Sequence, residues 1–124
     1  MSAARASVLT ETELFNPETG RLDAACIAKE FGLPVSTIAR SIGRKAPGVR
    51  KHPDSPGLQN GLRRLYRIWA TALELYGNNR TNARIFLNAP NRHLQNEAPV
   101  DFIASGELQV VESLLESMEL RQPM

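Results

Sequence analysis

Leu58, Leu62, Leu65, Trp69, Leu73 and Tyr76 recur at steps of three and four residues. Side chains at that spacing share one face of a helix, so the stripe predicts a long helix from about Leu58 to Tyr76. Gly77, Asn78 and Asn79 break the pattern. A stripe of this length must be covered by other elements, which makes it the expected spine of the fold. No alternating pattern of useful strand length occurs anywhere, so the expected class is all-α. A chain of 124 residues suits one ordinary domain, or two small helical units sharing a core. Its 42% hydrophobic and 23% charged residues are a globular composition.

The same composition excludes other classes. No run of about 18 apolar residues is present to cross a bilayer. The Met1–Arg5 start lacks the apolar core of a signal peptide, and a cytoplasmic protein is expected. Cys26 is the single cysteine, so it has no internal disulfide partner and is expected to act as a small buried hydrophobe. His52 and His93 have no Cys or His neighbour in metal-ligand spacing. Asp54 and His52 lie close together, but in a proline-rich stretch expected to be solvent-exposed. Neither a nucleophile elbow nor a phosphate-binding glycine loop is present, and no enzyme or cofactor is expected.

Three regions follow from the pattern. Residues 1–20 lack a sustained period and contain the turn-forming Asn16-Pro17-Glu18-Thr19-Gly20, so they are expected to form a flexible arm. Residues 21–57 are expected to form a helix-turn-helix DNA-binding and dimerisation module with a basic loop. Residues 58–124 hold the central helix and a C-terminal bundle of short helices, onto which that helix packs the N-terminal module.

In the middle region Leu22, Cys26, Ile27 and Phe31 mark one helical face, and Gly32 closes the helix. Ser36 is the expected N-cap of a second helix that ends at Gly43. Ala28 is small where the two helices must approach, and Ile38 docks the second on the first. The second helix would then be free to lie in a major groove, presenting Ser36, Thr37, Arg40, Ser41 and Arg44. Residues 44–57 carry three prolines and two glycines and are expected to be a loop, where Arg44, Lys45, Arg50 and Lys51 could grip phosphates or merely be solvated. Residues 21–80 hold eleven Lys/Arg against four Asp/Glu, whereas 81–124 hold three against six. Such a split suggests two partners of different character, or two solvated faces.

The C-terminal stretch is punctuated by Asn88-Ala89-Pro90-Asn91 and Ala98-Pro99-Val100-Asp101, and Ser105-Gly106-Glu107 opens a terminal helix. Proline presets φ for a first helical turn, so both prolines are expected to start helices, and Gly106 to end one. The order of Pro90, Asn91 and Leu94, then Pro99, Asp101, Ile103, Gly106 and Glu107, then Val111, Leu114 and Leu115, resembles the toxin-binding domain of the Xre/MbcA/ParS antitoxin family. Ala72-Leu73-Glu74-Leu75-Tyr76-Gly77 is similar to the segment that enters that domain, and the resemblance spans roughly residues 65–119.

The resemblance implies an all-α antitoxin that neutralises a RES-domain or ParT-like toxin acting on NAD, dimerises, and commonly binds its own operator DNA. Asn91, Arg92, Asp101, Glu107, Glu112, Glu116, Glu119 and Arg121 are then the candidate toxin-facing residues. Bland roles stand beside these, with Asn91 and Asp101 as helix caps and Leu94 and Ile103 as core. The ending Glu119-Leu120-Arg121-Gln122-Pro123-Met124 departs from the family's usual glycine and small or aromatic tail. In the family this end lies near the toxin's NAD pocket, so Arg121 could block it here. A stand-alone helix-turn-helix regulator, or an inhibitor without DNA binding, remains the alternative.

Overall fold

A computed structural model describes residues 14–121 as seven α-helices joined by tight turns. These are α1 (Ala24–Phe31), α2 (Val35–Ser41), α3 (Ala46–Lys51), α4 (Gln59–Leu75), α5 (Arg80–Asn88), α6 (Pro99–Ala104) and α7 (Leu108–Arg121). Short 3₁₀ turns at Pro56–Leu58 and Arg92–Leu94 lead into α4 and toward α6. The all-α expectation is met.

The central helix runs where the stripe placed it. Leu62, Leu65, Ile68, Trp69, Ala72 and Leu73 are its buried face. It packs against α1, α5 and α7, so elements from both halves of the chain cover one spine. Trp69 is fully buried with its ring 5.5 Å from that of Phe31. Its Nε1 has no hydrogen-bond partner among the described residues, so packing alone holds the ring. Most of the buried apolar residues, from Leu14 to Leu115, belong to one hydrophobic cluster. Burial of this kind contributes about 25 cal/mol per Å² of apolar surface and requires both halves to be present.

Local chemistry explains the helix ends. Asp23 caps α1 by accepting hydrogen bonds from the Ala25 and Cys26 amides at 2.8 and 3.1 Å. Gly32 closes it with φ of 74°, a left-handed conformation that costs a residue with a Cβ about 1 kcal/mol or more. Arg84 of α5 donates through Nε and Nη2 to the Glu30 carbonyl at 3.1 and 2.8 Å, satisfying an orphan acceptor at the end of α1. The nearly buried Glu30 carboxylate lies 3.5 Å from Arg84 and 4.0 Å from Arg80. Arg84 and Glu30 are 54 residues apart in sequence, and together they tie the first helix to the C-terminal region.

Several expectations are corrected. Residues 14–20 are held, with Leu14 buried in the core and Phe15 bridged to Leu22 in antiparallel fashion. Gln59 completes that bridge by accepting from the Leu22 amide and donating to its carbonyl, both at 2.9 Å. The rest of the expected arm, residues 1–13, lies outside the described residues. Pro34, not Ser36, is the N-cap of α2, and no side chain caps that end. The expected loop at 44–57 contains α3, because Pro47 suits a first helical turn and Val49 can then enter the core. Pro90 starts no helix. It precedes Asn91, whose side chain caps the 3₁₀ turn by accepting from the His93 amide at 2.9 Å.

Candidate functional site

The sequence left α2 free to enter a groove, but the fold covers it on several sides. This helix is seven residues long and packs against α1, α3 and α6. Ile38 and Ala39 are fully buried, as docking on α1 requires. Ser41, expected to point outward, is only 4% exposed and donates its hydroxyl proton to the Ile38 carbonyl at 2.6 Å. Ser36 and Thr37 are half-buried. Arg40, Arg44 and Lys45 are exposed.

A close approach sets what lies beside Arg40. Any Cβ on Gly61 would sit 2.7 Å from Ile42 Cβ and Cγ2, so only glycine lets the start of α4 touch the end of α2. The result is a cleft of about 530 Å³ whose walls include Arg40, Gly43, Asn60 and Arg64, with Ser105 and Gly106 opposite. Gly106 has φ of 83° and closes α6 there. On the other side of the α2–α3 turn a smaller cleft of about 280 Å³ is rimmed by Arg44, Lys45, His52 and Ser55. Arg44 Nη2 donates to the Gly57 carbonyl at 2.8 Å, which fixes this turn over the entry to α4.

The C-terminal motif residues are largely occupied with building their own surface. Pro99 opens α6 at its first turn, and Asp101 accepts a hydrogen bond from the Ala98 amide at 3.0 Å. That is the carboxylate half of a capping box, so Asp101 has its architectural role. Asn91 caps the 3₁₀ turn, and its amide donates to the Glu97 carbonyl at 3.0 Å. Leu94 and Ile103 are buried, as are Leu108, Val111, Leu114 and Leu115 on α7. Glu107 accepts from the Ser105 hydroxyl at 2.7 Å across the α6–α7 turn.

Glu112 departs from the expectation of a free acidic face. Arg64 Nε and Nη2 donate to its two carboxylate oxygens at 3.0 and 2.6 Å, a two-pronged clasp between α4 and α7. The hydrogen bonds from Arg64 hold the Glu112 carboxyl below the usual carboxylate range, against the opposing effect of partial burial. The same bonds push the Arg64 guanidinium upward. Nothing in local spacing could have revealed a pair 48 residues apart. Arg92, Glu116, Glu119 and Arg121 remain exposed. Glu116 and Glu119 line a groove of about 370 Å³ between α7 and α4, opposite Arg67 and Thr71.

Two chemical classes are addressed by the described residues. No group of three or more His, Cys, Asp and Glu among them could hold a metal ion. No helix among them is long and apolar enough to cross a membrane. Cys26 is half-buried, and burial, then the nearby Asp23 charge, pushes its thiol up, away from the reactive thiolate.

No curated protein and no solved structure matches the chain. The family comparison does give a match, in the region from the last turn of α4 through α7. Residues 71–120 match the model of the antitoxin Xre/MbcA/ParS C-terminal toxin-binding domain, so this segment of the chain is similar to that domain.

Proposed function

We propose that the chain is the antitoxin of a toxin–antitoxin pair and that it neutralises its toxin by covering it. The observation that carries this reading is the family match over residues 71–120. The toxin is a RES-domain or ParT-like protein that consumes NAD or transfers ADP-ribose from it. Inhibition is steric, so the chain needs neither a catalytic residue nor a cofactor. The exposed Arg92, Glu116, Glu119 and Arg121 are the toxin-facing residues we favour. Asn91, Asp101 and Glu107 support that surface through their caps and turns.

A second role is favoured by the charge split. The basic region around Arg40, Arg44 and Lys45 suits operator DNA, through which the chain would repress its own operon as a dimer in the cytoplasm. Ser36 and Thr37 contribute from the half-buried edge of α2. A regulator without a toxin, and an inhibitor without DNA binding, are the rival readings.

Co-purification with the product of the neighbouring gene, followed by an NAD-consumption assay, tests the antitoxin role. Capture of that protein with loss of NAD consumption is the expected result. A Glu116→Lys/Glu119→Lys variant should release NAD consumption if the acidic edge of α7 touches the toxin. Failure of the unmodified chain to bind or inhibit any such neighbour would overturn the antitoxin reading.

A further inference from the structure

The seam between α1 and α5 carries more positive charge than its internal pairing uses. A cleft of about 470 Å³ opens there, lined among the described residues by Cys26, Lys29 and Glu30 of α1 and by Arg80 and Arg84 of α5. Glu30 brings the one carboxylate of this lining, and its side chain is only 8% exposed. It lies 3.5 Å from Arg84 and 4.0 Å from Arg80, whose own side chains are 41% and 39% exposed. Lys29 is exposed, and its ammonium has no hydrogen bond or ion pair among the described residues. Three cations thus meet one inward carboxylate. Asp23, at the start of α1, is buried and spent on capping. Burial pushes the Cys26 thiol up, so it adds no negative charge.

We propose that this cleft binds a phosphate group, carried by inorganic phosphate or by a small phosphate ester. The site is independent of the toxin and operator roles. Its key is the hold on Arg84. A Cβ on Gly32 would lie 3.4 Å from Arg84 Cδ, so the stem of that side chain runs across the end of α1. Nε and Nη2 are fixed on the Glu30 carbonyl at 3.1 and 2.8 Å, which leaves Nη1 without a partner among the described residues. A guanidinium held in this way has already lost the freedom that binding would otherwise cost it. Phosphate oxygens accept charge-assisted hydrogen bonds from guanidinium and ammonium groups, and a dianion matches the excess charge of the cleft. The volume falls within the range of small-ligand sites, so it leaves room for the group that an ester carries. Because α5 lies inside the matched segment and α1 outside it, a bound phosphate would brace the two against each other.

The test titrates the full chain by calorimetry at constant ionic strength with inorganic phosphate, phenyl phosphate and AMP. Saturable binding at a single site is expected. Tighter binding of either ester assigns the cleft to an ester, and tighter binding of inorganic phosphate assigns it to the free ion. Lys29→Gln should weaken binding roughly three- to tenfold, the loss of one hydrogen bond to a charged group, and Lys29→Glu should weaken it further. Arg63→Gln removes an exposed arginine outside the cleft and should bind as the unmodified chain does. A tenfold excess of the best ligand over its Kd should raise the melting temperature by about 5 °C, and by less in Lys29→Gln. Stabilisation by exclusion of phosphate from the surface would instead grow without saturating and would be equal in both chains.

Absence of saturable binding by all three ligands would overturn the proposal. So would undiminished affinity in Lys29→Glu, or equal losses in Lys29→Gln and Arg63→Gln, which would mean diffuse attraction to a basic surface. Duplex DNA binding that Lys29→Glu abolishes, with none of the small phosphates bound, would assign these cations to DNA and overturn it as well.

Discussion

The basic helices α1–α3 and the matched segment of residues 71–120 are built alike, from short helices separated by proline and glycine, yet they spend their charges differently. In the matched segment Asp101 caps a helix, Glu107 closes a turn and Glu112 clasps Arg64. In the basic region the side chains of Arg40 and Lys45 are exposed and have no hydrogen bond or ion pair among the described residues. The motif that identifies the C-terminal segment is thus mostly architecture, and the charges free to meet a partner lie at its margins or outside it. A family signature marks where a surface is built; it does not by itself mark the atoms that touch the client.

The sharpest way to break the comparison is through the core that the two regions share. Trp69→Ala should cost about 3–5 kcal/mol, because it removes the largest buried side chain from between α1 and the C-terminal helices. Chemical denaturation followed by circular dichroism should still show one transition. Two separated transitions would mean that the regions fold independently despite their common cluster.

Gly61→Ala probes the seam between α4 and α2. Its Cβ would overlap Ile42, so a loss of about 1–3 kcal/mol is expected where an exposed helical glycine would gain stability from the same change. Asp101→Ala should cost about 0.5–2 kcal/mol by removing the α6 cap, and a thermal melt would read it. If Asp101→Ala were neutral in stability but abolished toxin capture, the carboxylate would be a contact and the architectural assignment would fail.

The smallest effect belongs to the Arg64–Glu112 clasp. Both side chains are more than a third exposed, so Glu112→Gln should cost only about 0.2–1 kcal/mol. The folded-state carboxyl titrates below its unfolded value, so the unfolded chain takes up a proton first as pH falls. The stabilisation is therefore complete above the ordinary carboxylate range and is lost as pH drops through the lowered folded value. Comparing the pH dependence of stability in the unmodified chain and in Glu112→Gln isolates this contribution. Identical curves would show that solvent screens the pair entirely.

Much of this fold was legible in the chain. The stripe from Leu58 to Tyr76 located the central helix, and Gly32, Gly43, Pro99 and Gly106 marked ends that the structure retains. Caps at Asn91 and Asp101 were also foreseeable, because capping is a matter of three or four neighbouring residues. The short helix α3 was hidden by its prolines and glycines, whose local preference yields once Val49 can be buried. Leu14 was hidden for a related reason, since the short apolar pair Leu14-Phe15 in a polar stretch has no period to announce it. Residues 122–124, the end of the tail expected near a toxin pocket, lie outside the described residues.

By itself, then, the sequence determined the helical class, the central spine, the punctuation of the C-terminal helices and their family likeness. These rest on periodicity, backbone preference and motif spacing, which act over a few residues to a few turns. Only the tertiary structure decided which of the charged and polar candidates are occupied and which stand open. Glu112 meets Arg64 and Arg84 meets Glu30 because helices distant in sequence are pressed onto one core. Those pairings follow from where the buried faces must go, and no local pattern encodes them.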